Sequence, residues 1–404
     1  MYDETTIGVR LRALRRWRGM SMQALADLAG LSQGFLSKVE NGKVALDRRS
    51  HIAALATALK VSEVDLVGGP HLTPDPVQSA PHAAVPALRA AIQTNWIGDA
   101  AVERARSLAE LLAEIRSLDA VFHSCDYLAL GARLPSVIDE LHWHIAEPVD
   151  EATERGALTA LVEAYMYATF RTKDLGYADL AHQAASRAME AARLTGDPVT
   201  VGKAAYLRVQ TMPRESSWSR AQVTAERAAG VLEPHATEPL GLQVLGMLSL
   251  SAAMASAVQH KTAAAEGWMG EARTLAARVP DDPENWSAFS ATNVGVWDVA
   301  IGVEVGQSGG AVLRLAEAVD EETISVRRSR HAAFLADVGR GLARDPGCQR
   351  EATGWLRRAE AVAPQRIRNS TAVHETVGVM LAQAKAAAVG RELRGMAARM
   401  GVPH

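Results

Sequence analysis

The sequence predicts an all-α protein in at least two units, and three observations lead there. The 404-residue chain is 48% hydrophobic but only 5% aromatic, so its core must be built mainly from Ala, Leu and Val, which suits closely packed helices better than sheets. Apolar residues fall at helical spacing in the first 69 residues and again through the long remainder. Breaks then recur along that remainder at intervals of about forty residues, the mark of a repeated helix pair. At this length a single core does not suffice.

Residues 1–69 form the small unit, with five short helices. Ile7, Leu11 and Leu14 make one stripe, closed by Gly19. Ser21 caps a second helix carrying Leu25, Ala26 and Ala29, ended by Gly30, where a left-handed residue is needed. Ser32 caps the third, on which Leu36 and Val39 face inward and Gln33, Gly34, Ser37, Lys38 and Asn41 stay outside. A fourth runs from about Arg49 to Leu59, and "SEVDLV", capped by Ser62, is the fifth. The unit carries ten Lys or Arg against seven Asp or Glu, net +3, whereas the whole chain is net −3, so a polyanion would meet only this part.

"GGPHLTPDPVQSAPHAAVP", Gly68 to Pro86, holds five prolines without helical periodicity, and residues 70–86 are expected to be a semi-rigid linker. Residues 87–404 are then the body.

Two helices joined by a tight turn, with small Ala26 at their crossing, present the start of the second helix outward, and a helix fits the DNA major groove. Gln33 can pair its amide with the N6 and N7 edge of adenine, Lys38 can reach guanine or phosphate, and Ser37 can serve either. Asn41, Lys43 and Arg48 follow in the loop, where phosphate contacts set register. Ser32 and Gln23, at the starts of the two helices, complete the expected interface.

"MQALADLAGLSQGFLSKVENGK" resembles the helix-turn-helix of the xenobiotic-response-element family, whose fold is that of the small phage (lambda-type) repressors. The resemblance implies that Ala26, Gly30, Leu31, Leu36 and Val39 set the helix crossing, that Gln33, Gly34, Ser37 and Lys38 read bases, and that Asn41 and Lys43 contact backbone. It also implies a structural ion pair between Arg15 and Glu40. Met22 departs from the Gln that the family usually uses on phosphate, a contact that Gln23 would partly take over. Gly34 departs too, at about 1 kcal/mol of helix propensity relative to Ala.

In the body, breaks fall at "TGDPV" (Thr195–Val199), "LEPH" (Leu232–His235), "VPDDP" (Val279–Pro283), "AVDEE" (Ala318–Glu322) and "VAPQ" (Val362–Gln365). Each interval holds two helices, the second usually Ala-rich. "LGYADLAHQAASRAMEAA" resembles the tetratricopeptide consensus, so the body is expected to be a tetratricopeptide-like α-helical solenoid. A helix-turn-helix, a Pro-rich segment and such a solenoid together resemble a class of bacterial regulators, and in architecture the peptide-pheromone receptors. That likeness implies a homodimer on an inverted-repeat operator in double-stranded DNA, with a peptide or small-molecule effector on the concave surface. On helices expected to line that surface lie Tyr165, Arg171, Arg208, Gln210, Asn293, Trp297, Arg330 and His331.

Enzymatic readings find no support. "HWH", His142 to His144, puts two imidazoles on different sides of a helix without a third metal ligand, and "GQSGG", Gly306 to Gly310, lacks the Lys of a phosphate loop and reads as a break between helices. Cys125 has His123 nearby but no other partner for a nucleophile. No catalytic residue, metal or cofactor is expected. The two cysteines are expected to be free thiols, the protein cytoplasmic, and no apolar run long enough to cross a membrane is expected. The competing expectation is an interaction scaffold in which the solenoid recruits a partner and DNA binding is secondary.

Overall fold

The computed structural model describes residues 6–71, 76–215, 218–384 and 389–402, and every regular element among them is a helix. The small unit holds α1 (Ile7–Trp17), α2 (Met22–Ala29), α3 (Gln33–Glu40), α4 (Arg49–Leu59) and α5 (Glu63–Val67). Its helix starts are written in local chemistry. The Ser21 hydroxyl accepts from Ala24 N at 3.1 Å, and that of Ser32 from Phe35 N at 3.1 Å. Ser62 and Asp65 form a reciprocal capping box. Gly30, at φ +65°, ends α2 in the left-handed region, so that Leu31 N can return to Ala26 O. Leu11, Leu25, Ala26, Leu36, Val39, Leu55 and Leu59 meet in one buried cluster. Gly8 lets α1 cross the end of α3 at backbone distance, since a Cβ there would lie 2.2 Å from Val39 O.

The segment expected to be a linker departs from that expectation. Residues 72–75 lie outside the described residues, but Pro76–Ala83 is a helix, α6, followed by α7 (Val85–Thr94). Burial of Pro81 and His82 holds α6 in place of any periodicity of its own. Pro81 O accepts from Arg171 Nη2 at 2.7 Å, and the His82 ring meets Tyr177 Oη at 3.1 Å and Asn369 Oδ1 at 3.2 Å.

After α8 (Leu108–His123) and α9 (Tyr127–Ala146) come helix pairs: α10 (Glu151–Asp174) with α11 (Ala178–Thr195), α12 (Pro198–Glu215) with α13 (Trp218–Leu232), and α14 (Pro239–Val258) with α15 (Thr262–Ala276). Then come α16 (Ala291–Glu304) with α17 (Gly310–Glu317), the short α18 (Glu321–Ser325), and α19 (Arg328–Ala343) with α20 (Gln349–Val362). The short α21 (Pro364–Ile367) leads to α22 (Thr371–Gln383), paired with α23 (Val389–Met400). The first helices of successive pairs touch in a row, α10 to α12 to α14 to α16 to α19 to α22, as a solenoid requires. The five sequence breaks fall between one pair and the next or between short elements, and Gly306–Gly310 spans the turn from α16 to α17. Small residues permit the close stacking: Ala181, Ala184, Ala185, Ala188, Ala191 and Ala192 of α11 are fully buried.

Two features were not expected. Pro239–Val258 is long and apolar enough to span a bilayer, correcting the reading that no such run exists, but here its residues from Gly241 to Val258 are all buried inside the body. The array also curls until its far end meets its beginning. Gln365 accepts from Tyr127 N at 2.9 Å and Arg366 pairs with Asp174 at 2.8 Å, while Arg327 approaches Asp119 at 3.6 Å.

Candidate nucleic-acid interface

The third helix of the small unit is fixed from behind. Arg15 Nε and Nη2 donate to the two Glu40 oxygens at 2.6 and 2.8 Å, and Arg12 Nε adds 3.3 Å. Burial works against the Glu40 charge, but the hydrogen bonds and charges of Arg15 and then Arg12 outweigh it and hold the carboxyl below its ordinary range. Phe35 packs edge-on against His51 of α4, with ring centroids 4.9 Å apart.

On the opposite face Gln33, Gly34 and Lys38 are exposed and Ser37 is half-exposed. These four lie together, as the spacing predicts. Ser32 is exposed, but its hydroxyl is used in capping. Gln23 lies on the surface of α2, its amide donating to Asp27 Oδ1 at 2.7 Å. Asn41 closes the helix, donating to Ser37 O at 2.8 Å while its Oδ1 accepts from Arg12 Nη2 at 2.7 Å. The side chain of Lys43 is exposed.

Arg48 is placed otherwise than expected. Its Nε donates to Glu304 O at 2.8 Å and its guanidinium lies against Gly306, so in this arrangement it faces the body and not a phosphate. It belongs to a clasp that runs along the whole loop after α3. Gln383 donates to Lys43 O at 2.7 Å, and Glu375 Oε1 accepts from Leu46 N at 3.2 Å. Arg340 donates to Asp47 O at 2.6 Å, and Arg344 to Asp47 Oδ1 at 3.0 Å. Glu304 accepts from Arg49 N at 3.0 Å and Ser50 N at 2.8 Å, which supplies the cap that α4 lacks locally. Sequence reasoning missed Asp47, Glu304, Arg340, Arg344, Glu375 and Gln383. Each clasp contact joins residues more than 250 positions apart, beyond any local signal.

The expected ligand set is not one site. Tyr165 is fully buried, with its hydroxyl 3.0 Å from His142 Nε2, and Arg171 is fully buried and donates to Tyr127 O and Pro81 O. Asn293 is fully buried against Met247. His331 meets Glu321 at 2.8 Å, Arg330 meets Ser287 Oγ at 3.1 Å, and Arg208 is half-buried. These are packing and tethering positions, because the inner helices press against one another where an open concave surface was expected. Gln210 and Trp297 line a cavity of about 330 Å³ between the small unit and the body.

The other motifs resolve into structure. His142 Nδ1 meets Trp96 O at 3.2 Å and His144 Nε2 meets Arg106 O at 2.8 Å, on different sides of α9. Burial raises the Cys125 thiol, against formation of a thiolate.

A family model described as a helix-turn-helix domain matches residues 6–67. No curated protein and no solved structure matches the chain. The small unit is thus a helix-turn-helix domain, carried by a larger all-helical body.

Proposed function

We infer that the protein is a sequence-specific DNA-binding transcriptional regulator of the xenobiotic-response-element kind, with a tetratricopeptide-like body. The observation that carries this reading is the division of α3 into two faces. Leu36, Val39 and Glu40 are locked into the domain, while Gln33, Ser37 and Lys38 stand outward on a short, capped helix. Such a face reads base edges in the major groove. A single domain with modest positive charge offers few phosphate contacts, so the reading includes a homodimer on an inverted repeat, its two α3 helices about 34 Å apart. A bacterial, cytoplasmic, non-catalytic protein whose DNA affinity answers to an effector completes it.

The test is fluorescence anisotropy of the full chain on labelled DNA from upstream of its own gene, beside a scrambled duplex, at two salt concentrations. Base readout gives tighter binding to the native duplex, with a gap that persists at higher salt. Replacing Gln33, Ser37 and Lys38 together by Ala removes that gap, at least about 100-fold if each position contributes 1–3 kcal/mol, and leaves the melting temperature within a few degrees.

A scaffold remains the second reading, favoured by a groove of about 470 Å³ between α13 and α15, with Trp268 among Glu226, Glu233 and Glu271. A cellular phenotype that survives the triple substitution would select it.

A further inference from the structure

The cavity between the helix-turn-helix domain and the body has two walls from different units. Leu46 and Ile52 form part of the first, Met254 and Ala336 part of the second, with Asp47 and Trp297 between them. Its volume, about 330 Å³, lies at the small end of the range for small-molecule pockets.

Three polar atoms of residues lining this cavity lack hydrogen-bond partners: Trp297 Nε1, Asp47 Oδ2 and Arg340 Nε. Trp297 is 9% exposed, and its indole Nε1 is buried and unbonded. Asp47 is 4% exposed; its Oδ1 takes Arg344, but its Oδ2 has only an approach of 3.4 Å from Arg340 Nε. Buried donors and acceptors are ordinarily satisfied, so the Trp297 indole N–H, together with an Asp47 oxygen held only by that long ionic approach, marks a place for another molecule's polar groups. The arginines around it are already matched: Arg49 with Glu304, Arg340 with Asp337 and Arg366 with Asp174. The charges of these arginines are thus answered within the protein, which disfavours a phosphate or nucleotide.

We propose that this cavity binds a compact, uncharged, mostly apolar small molecule that offers an oxygen acceptor to the Trp297 indole and an N–H or O–H donor to Asp47. The ligand completes the seam between domain and body. Undocking removes one wall, so the ligand binds the docked arrangement better and holds the domain against the body. That regulatory consequence rests on the DNA-binding reading above, whereas the binding site itself does not.

The probe is dansylamide, a neutral naphthalene sulfonamide with sulfonyl acceptors, an amide donor and fluorescence that rises in apolar surroundings. Titrated into the full chain without DNA, it gives saturable binding with one site per chain. Trp297→Phe keeps an aromatic side chain but removes the indole N–H and weakens binding about tenfold, the equivalent of ~1.4 kcal/mol. Ala336→Phe fills the cavity and abolishes binding. If that variant does not fold, as judged by circular dichroism, Trp297→Phe decides alone. Non-saturable binding, or equal binding in wild type and Trp297→Phe, overturns the proposal. Because no DNA is present, a bound probe beside absent base readout leaves the site standing and removes only its regulatory meaning.

Discussion

Glu40 has a side chain 1% exposed, yet it is ionised because two arginines reach it, Arg15 at 12% and Arg12 at 36% side-chain exposure. Removing its charge takes the anionic partner from both guanidinium groups at the back of α3. Glu40→Gln should therefore lower stability by about 2–3 kcal/mol, less than a wholly buried pair would lose because Arg12 is partly open to solvent. Thermal unfolding at neutral pH checks the figure. The pH sign follows from a carboxyl held below its ordinary value: the contribution is full above the unfolded value of about 4.5 and is lost as pH falls through the lower folded one. Arg15 and Glu40 were legible because the family resemblance covers both. Arg12 was not, since a third partner three residues from the first follows from the crossing angle of α1 over α3, which the spacing does not give. The same holds for the outward set. Gln33, Ser37 and Lys38 follow from the phase of one helix, whereas the direction of Arg48 depends on Glu304, in a different unit.

At the scale of elements, local grammar served well where a helix is stabilised by its own ends. Ser21, Ser32 and Ser62 cap as their positions predict. It placed α4 but not the group that caps it, and it missed α6; both are completed by distant groups. Arg48 provides α4 with no side-chain cap, and the Glu304 carboxylate stands in. Glu304→Ala should remove about 1 kcal/mol of capping and loosen the clasp with it. Hydrogen exchange is the direct check: the amides of Leu46, Arg49 and Ser50 should exchange faster in the variant, while those in the middle of α2 stay unchanged. Unaltered exchange at Arg49 and Ser50 would mean that the clasp is not what protects them. Helix α6 was missed for a related reason, because the burial that holds Pro81 and His82 comes from α10 and from the turn after α21.

At the scale of the whole molecule, an N-terminal helix-turn-helix domain followed by a helical region consistent with a solenoid was readable from period and composition. The closure of the body and the docking of the domain were not, because they are made by pairs remote in sequence. Glu375 lies at that docked seam, and burial pushes its carboxyl up to about 7 against the opposing amides of Leu46 and Ile7, with Asp47 raising and Arg10 lowering it. A carboxyl so raised holds a proton in the folded state that it releases on unfolding, so between about pH 4.5 and 7 it stabilises the protein increasingly as pH falls. Three histidines lowered to about 4 by burial, the fully buried His142 and the half-buried His51 and His374, pull the other way below about 6.5, the ordinary histidine value. The quantity to measure is therefore the difference between wild type and Glu375→Gln, which keeps an acceptor for Leu46 N but does not titrate. The melting temperature of wild type should gain on that of the variant from pH 7.5 to 5.5, and a constant difference would show that Glu375 does not titrate at this seam.

The clasp also imposes an order of events. The helix-turn-helix domain is complete by Val67, but the side chains that hold it, on Glu304, Arg340, Glu375 and Gln383, belong to the last quarter or so of the chain. At about 5–20 residues per second on the ribosome, the domain emerges roughly 15 seconds to a minute before the residues that restrain it. Every newly made molecule thus passes through an interval in which the domain is folded and the clasp is absent, and chains cut short before α16 would remain in that state.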